Sequence, residues 1–116
     1  MKLGILGAAG RMGRELVRIV HTSGKGVVAA AVERPDSPMI GRDVGEVAGI
    51  GTLGIPISAD LPPLFAKVEG ILDFTTPQTT VAAAALSAQA RLVHVIGTTG
   101  LSPEDEERIK AAARQA

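Results

Sequence analysis

Three glycines at three-residue spacing, Gly7, Gly10 and Gly13, stand in the stretch Leu-Gly-Ile-Leu-Gly-Ala-Ala-Gly-Arg-Met-Gly that covers residues 3–13. Glycines so spaced serve three needs: a tight turn, close approach of the backbone to a ligand, and close packing of a helix on a strand. A helix that opens behind such a turn carries unpaired amides and a partial positive charge, which together make a seat for phosphate. The usual dinucleotide spacing is G-x-G-x-x-G, whereas Ala9 makes this one G-x-x-G-x-x-G. The triplet therefore needs its context. Glu33 supplies part of it, lying 20 residues beyond Gly13, where a carboxylate accepts hydrogen bonds from the ribose hydroxyls of an adenosine.

Arg34 follows directly. It either meets a 2′-phosphate with its guanidinium or is a solvated loop residue, and the first reading predicts a site that tolerates both NADH and NADPH. Arg11 and Arg14 fall in the first turn of the helix, where the dipole disfavours a cation unless a phosphate is bound. An exposed helix face accounts equally for Arg14 and Arg18, which leaves Arg11 as the candidate. Further along, Gly97-Thr98-Thr99-Gly100 offers hydroxyls and amides after a strand, either to a carboxamide or carboxylate or as a plain turn before the Ser102 cap. Asp73 either acts as a base or orders the loop beside it. His94, inside an apolar strand, reads as a satisfied core or interface residue rather than a catalytic one. His21, near a helix C-terminus, suits the dipole there. Two isolated histidines and no cysteine give no metal site, and no nucleophile has a base beside it.

The elements that must position these residues alternate. Residues 2–6 read as a strand. From Gly10 to about Thr22, Met12, Leu16, Ile19 and Val20 recur at helical spacing. Val27–Val32 is an apolar run of strand length, typical of a parallel sheet covered on both faces. Residues 34–54 are rich in Pro and Gly and predict an irregular, mobile segment with one short helical turn near 43–48. A short strand is expected at 55–58 and a helix over 60–68, with Pro62 and Pro63 in its first turn. Then come a strand at 70–74, a helix over 78–90 introduced by Thr76-Pro77, a strand at 91–96, and a last helix capped at Ser102 with acids in its first turn. The fold expected is an α/β, Rossmann-type, doubly wound parallel sheet in a single domain.

Composition narrows the partners. The 116 residues carry 12 Lys plus Arg against 12 Asp plus Glu, so no broad field draws the chain to nucleic acid or to an anionic membrane. The absence of Cys fits a reducing compartment, and Phe65 and Phe74 are the sole aromatics. The apolar start resembles a signal peptide, but Arg11 and Arg14 interrupt it, and the chain reads as cytoplasmic.

Taken together, several strings resemble the dihydrodipicolinate reductase family, also called 4-hydroxy-tetrahydrodipicolinate reductase. They are Gly-Ala-Ala-Gly-Arg-Met-Gly at 7–13, Glu33-Arg34, Gly41-x-Asp43-x-Gly45-Glu46, Asp73-Phe74-Thr75-x-Pro77, and Val-Ile-Gly-Thr-Thr-Gly at 95–100. The resemblance implies that Gly7, Ala8, Ala9, Gly10, Arg11 and Met12 bind the cofactor's pyrophosphate, Glu33 and Arg34 its adenosine end, and Gly97, Thr98 and Thr99 its nicotinamide end. Thr99 is also implied near the substrate, a cyclic dicarboxylate. Family members continue into a second domain with a His-His-x-x-Lys segment and a Ser-Gly-Thr loop, which supply proton donation, carboxylate binding and most of a homotetramer's contacts. Nothing in residues 1–116 corresponds to these, so the expectation is an NADPH- or NADH-binding half without catalytic residues, taken from a reductase of diaminopimelate and lysine biosynthesis. The alternatives are a nucleotide-sensing module and the cofactor domain of another dehydrogenase.

Overall fold

The computed structural model describes residues 1–24, 26–98 and 102–115. Five strands, β1 (Lys2–Leu6), β2 (Val27–Val32), β3 (Ile57–Ser58), β4 (Gly70–Asp73) and β5 (Val93–Ile96), form one sheet in the order β3-β2-β1-β4-β5. Every pairing within it is parallel. The order steps outward from β1 in both directions, so the chain reverses at β1 and opens a crevice at the carboxyl ends of β1 and β4.

The helices are α1 (Arg11–Ser23), α2 (Val44–Val47), α3 (Leu61–Leu64), α4 (Pro77–Ala90) and α5 (Pro103–Gln115). They divide the core in two. On one face Ile5, Val28, Ala31 and Ile57 pack with Val17 and Val20 of α1 and Val44 of α2. On the other, Leu6, Ala30, Val32 and Ile71 meet Leu64 of α3 and Ala83 of α4. Burial on both faces explains why β2 is an unbroken apolar run. α4 sends Thr80, Ala83, Ala84 and Ser87 inward, at the i, i+3, i+4, i+7 spacing of one helix face, and α5 packs on α4.

The doubly wound sheet and its first β-α-β unit stand where the residue pattern puts them. Three boundaries change, and one segment gains an unexpected hub. The segment 34–54 is irregular, with the expected helical turn present as α2 at Val44–Val47, and Asp43 gathers it into an order that its composition does not show. The Asp43 carboxylate accepts the N–H groups of Glu46, Leu53, Gly54 and Ile55 at 2.7–3.0 Å. Backbone bonds from Val44 N–H to the Ile55 carbonyl and from Ile57 N–H to the Arg42 carbonyl, both 2.9 Å, close the loop. The Leu53 N–H first, then those of Glu46, Gly54 and Ile55, hold the Asp43 carboxyl below its ordinary value against the opposing effect of desolvation.

The helix expected over 60–68 stops at Leu64. Pro62 and Pro63 bring no N–H, and the next amides bond three residues back, Phe65 to Pro62, Ala66 to Pro63 and Lys67 to Leu64, as successive turns. The strand expected at 55–58 shortens to Ile57–Ser58, since Ile55 and Pro56 pair with the 43–44 segment instead. The strand expected from Arg91 begins at Val93, because Arg91 takes the left-handed conformation (φ 58°) that ends α4. Ser102 caps α5 as expected: its Oγ accepts the Asp105 N–H at 3.0 Å while Asp105 Oδ2 accepts the Ser102 N–H at 3.1 Å.

Candidate functional site

The turn from β1 into α1 is built by backbone. Gly7 is buried with φ 79°, and a Cβ there would lie 2.5 Å from the Phe74 carbonyl oxygen on the neighbouring strand end. At Gly13 a Cβ would overlap the Gly7 carbonyl and the Ala8 Cα, so this glycine lets α1 sit down on the turn. Gly10 differs. Its φ is −73°, and an added Cβ would meet nothing nearer than the Gly7 oxygen at 3.4 Å. The protein itself leaves that space open.

Gly10 is also the N-cap of α1 and has no side chain to close it. The amides at the first positions of the helix, Arg11, Met12 and Gly13, have no carbonyl one turn back to bond. These are the features of a pyrophosphate seat: orphan donors, the positive end of a helix, and an absent Cβ where the ligand must come close. Arg11 and Met12 are exposed at its rim. Ala8, in contrast, is wholly buried, and its N–H bonds the Val32 carbonyl at 3.3 Å. Its part is to fasten the turn to β2. Arg14 and Arg18 are held elsewhere, Arg14 Nε on the Gly10 carbonyl at 3.4 Å, and Arg18 in an ion pair with Glu15 and on the Ala48 carbonyl at 3.0 Å.

Glu33 stands at the tip of β2, half-buried. Its Oε2 accepts the Ala9 N–H and its Oε1 the Arg34 N–H, each at 3.0 Å. The carboxylate is thereby aimed at the turn. Each oxygen keeps a second lone pair for a hydroxyl. Arg34 pairs with Asp36 at 3.1 Å, with the two side chains 73% and 81% exposed, a contact worth about 0–1 kcal/mol and readily given up to a phosphate.

Between these parts lies a cavity of about 520 Å³. Gly7, Gly10, Glu33 and Arg34 form one side of it; Phe74, Thr75, Gln78, Thr79 and Ala82 form another, with Ala59 and Leu61 at its end. The walls that residue types alone did not mark are those of α4 and the β3–α3 connection. Only the parallel topology, which gathers every strand's carboxyl end at one edge, brings them to Glu33.

At the other end of the crevice, the Phe74 ring packs against Gly97, where any Cβ would overlap its Cε1 and Cζ. Thr98 is turned inward. Its Oγ1 accepts the Thr75 N–H at 3.0 Å and the Thr80 hydroxyl at 2.7 Å, and donates to Asp73 Oδ1 at 3.3 Å. The hydroxyl's one donor and two acceptors are thus all used. Thr98 offers a ligand its backbone, not the hydroxyl that the residue pattern put forward. Thr99, the other hydroxyl, lies outside the described residues.

Asp73 anchors this corner. It is wholly buried, its Oδ2 lies 2.9 Å from His94 Nε2, and its Oδ1 takes the Thr75 hydroxyl at 2.7 Å. Burial pushes the Asp73 carboxyl up, but hydrogen bonds from His94, Thr75 and Thr80 outweigh it and hold the group below its ordinary value. An aspartate kept ionised and fully bonded orders a loop and is a poor base. His94 is a satisfied, largely buried residue, as its place in an apolar strand implies. Among the described residues no group of three or more His, Cys, Asp or Glu is placed to hold a metal ion, and no helix is long and apolar enough to cross a membrane.

Comparison with known proteins fixes the lineage. The family model for the N-terminus of dihydrodipicolinate reductase matches residues 1–116, the full chain. The chain belongs to the dihydrodipicolinate reductase family. Its curated relatives include 4-hydroxy-tetrahydrodipicolinate reductases of Mesorhizobium japonicum, 57% identical, and Rhizobium rhizogenes, 56% identical, each over all 116 residues. The chain spans 42% of the length of either relative. Among solved structures it resembles a dipicolinate-bound dihydrodipicolinate reductase from Paenisporosarcina (TM-score 0.75, 24% identity, 97% of this chain and 43% of that one). It also resembles an amine dehydrogenase from Mycobacterium smegmatis (TM-score 0.78, 20% identity, 97% of this chain and 36% of that one). At those identities the likeness is one of fold: dihydrodipicolinate reductase shares its Rossmann sheet with dehydrogenases of other substrates.

Proposed function

We propose that this chain is the NAD(P)H-binding domain of a dihydrodipicolinate reductase. The single observation that carries the reading is the open N-terminus of α1 beside Gly10, facing a cavity that runs to Glu33 and Arg34. The amides of α1 take the pyrophosphate, Gly10 admits it, and Ala8 and Ala9 hold the turn in shape. Glu33 accepts the adenosine ribose hydroxyls. Arg34 exchanges Asp36 for a 2′-phosphate, so that both NADH and NADPH are accommodated. The backbone of Gly97 and Thr98 meets the nicotinamide end, a role that the family resemblance extends to Thr99.

When bound, the cofactor would supply a hydride to a cyclic dicarboxylate imine; the relatives named for 4-hydroxy-tetrahydrodipicolinate and the dipicolinate-bound structural neighbour support a cyclic dicarboxylate as the substrate class. The 116 residues bind and orient: the charged side chains that line the cavity, Glu33 and Arg34, are taken up by the cofactor reading, which leaves a general acid and a cluster of cations for two carboxylates to be supplied. We assign those parts, and a homotetramer's contacts, to the further length that the relatives carry, and keep for Thr99 the substrate role that the family resemblance implies. The domain acts as a cytoplasmic enzyme's cofactor half and by itself turns over no substrate.

Isothermal titration calorimetry of the chain with NADPH and NADH tests the assignment. Saturable binding of one or both is expected, and silence with both at millimolar concentration contradicts it. A nucleotide-sensing module would share this binding, but the family match favours the reductase.

A further inference from the structure

His94 joins the corner that Asp73 anchors. It lies on β5, in register with Ile71 of β4, two pairs back from the Asp73–Ile96 pair. From there its Nε2 meets Asp73 Oδ2 at 2.9 Å, and the other carboxylate oxygen receives the hydroxyls of Thr75 and Thr98. Thr80, buried on α4, closes the chain of bonds by donating to Thr98 Oγ1 at 2.7 Å. Five side chains from β4, its following loop, α4, β5 and the 97–98 turn thus form one network, with Asp73 and Thr80 buried at its centre.

We propose that His94 is a positioning residue for the nicotinamide end of the site: through Asp73 it fixes the rotamer of Thr98, and so the backbone of the turn that meets the ring. The inference rests on the cofactor reading given above. The physical reason is saturation. Thr98 Oγ1 has one hydrogen to give, and Asp73 Oδ1 is where it goes. Asp73 stands in the orientation that allows this because His94 holds its other oxygen. Without the imidazole, a buried carboxylate oxygen loses its partner and the side chain must turn or draw in water, either of which frees the Thr98 hydroxyl to rotate. The phosphate seat does not depend on this, since Gly7, Gly10 and Glu33 share no bond with the network.

Two ligands separate the two ends. Both NADPH and 2′-phospho-ADP-ribose fill the adenosine and pyrophosphate positions, but the second lacks the ring. In His94→Leu, and independently in Thr80→Val, which keeps the shape of the buried side chain, NADPH affinity should fall about tenfold, the worth of one well-placed hydrogen bond. Affinity for 2′-phospho-ADP-ribose should stay within about twofold, and the fluorescence change of the bound dihydronicotinamide should shrink. His94→Gln, whose amide nitrogen replaces Nε2 as a donor to Asp73, should restore both. A merely structural role predicts equal losses for the two ligands and no rescue by Gln; that result, or unchanged NADPH affinity in both His94→Leu and Thr80→Val, overturns the proposal while the cofactor reading stands. Failure of the unaltered protein to bind either ligand overturns the two together.

Discussion

Glu33 accepts the N–H of Ala9 at 3.0 Å, a bond that spans 24 residues and ties the tip of β2 to the turn after β1. The carboxylate that would read a ribose is therefore also part of the scaffold that shapes the turn into α1. Removing it should act twice. Glu33→Ala is expected to weaken NADH about tenfold or more, through the lost ribose contact and a looser turn. Calorimetry with NADH and with inorganic pyrophosphate checks this, because the scaffold effect appears in both titrations and the ribose effect in the first alone.

Arg34 should sort the two cofactors. Its exposed pair with Asp36 costs little to break, so its guanidinium is available to a 2′-phosphate. Arg34→Ala is expected to reduce NADPH affinity about tenfold and to leave NADH within about twofold. Equal losses in parallel titrations would remove Arg34 from the phosphate site.

The glycines of the turn should fail in different ways. Gly13→Ala places a methyl on the Gly7 carbonyl and should destabilise the fold by about 1–3 kcal/mol or more, read as a lowered Tm with or without ligand. Gly10→Ala meets only an ordinary contact, so stability should change by about 1 kcal/mol or less. Its cofactor affinity should nonetheless collapse, because the methyl occupies the approach of the pyrophosphate. Thermal melts paired with NADPH titrations separate the cases.

Acid should weaken the protein through Asp43 and Asp73. Both carboxyls are held below the ordinary value of 3.8, so each contributes stability that is complete above that value and is lost as pH falls through the lower folded one. Denaturant titrations in steps downward from pH 5 should show stability falling chiefly below pH 4. Asp43→Asn, which keeps an acceptor but no charge, should flatten that fall and lower stability at neutral pH. An unchanged pH profile in the variant would show that the 43–55 loop does not draw on the charge.

The β1-α1-β2 unit was legible in the sequence because each of its parts is written locally: an apolar run, a glycine turn, a helical stripe, and an acid after a second apolar run. The sheet's parallel alternation follows from the same signals repeated. The order given to residues 34–54 was not legible. Nothing about Asp43 as a residue type says that it will collect amides from three and from ten to twelve positions away, and a Pro- and Gly-rich segment without that hub reads as an open loop. The inward turn of Thr98 was equally hidden. It depends on the β4–β5 register that brings His94 to Asp73, and on Thr80 arriving from α4, relations of tertiary structure that spacing does not encode. Gly10 was legible as a glycine, but only the structure separates it from Gly7 and Gly13, since the fold requires those two and leaves the space at Gly10 for something else.

The central claim is that a dinucleotide lies from Glu33, across the N-terminus of α1, to the 97–98 turn. Amide chemical-shift mapping of the 15N-labelled chain during titration with NADPH tests it most directly. The account predicts large shifts at Gly7, Ala9, Gly10, Arg11 and Met12, with further shifts at Glu33, Arg34, Gly97 and Thr98. The α2 loop around Glu46 and the far end of α4 at Ala90 should stay still. Shifts confined to other surfaces, or none at saturating NADPH, would contradict it.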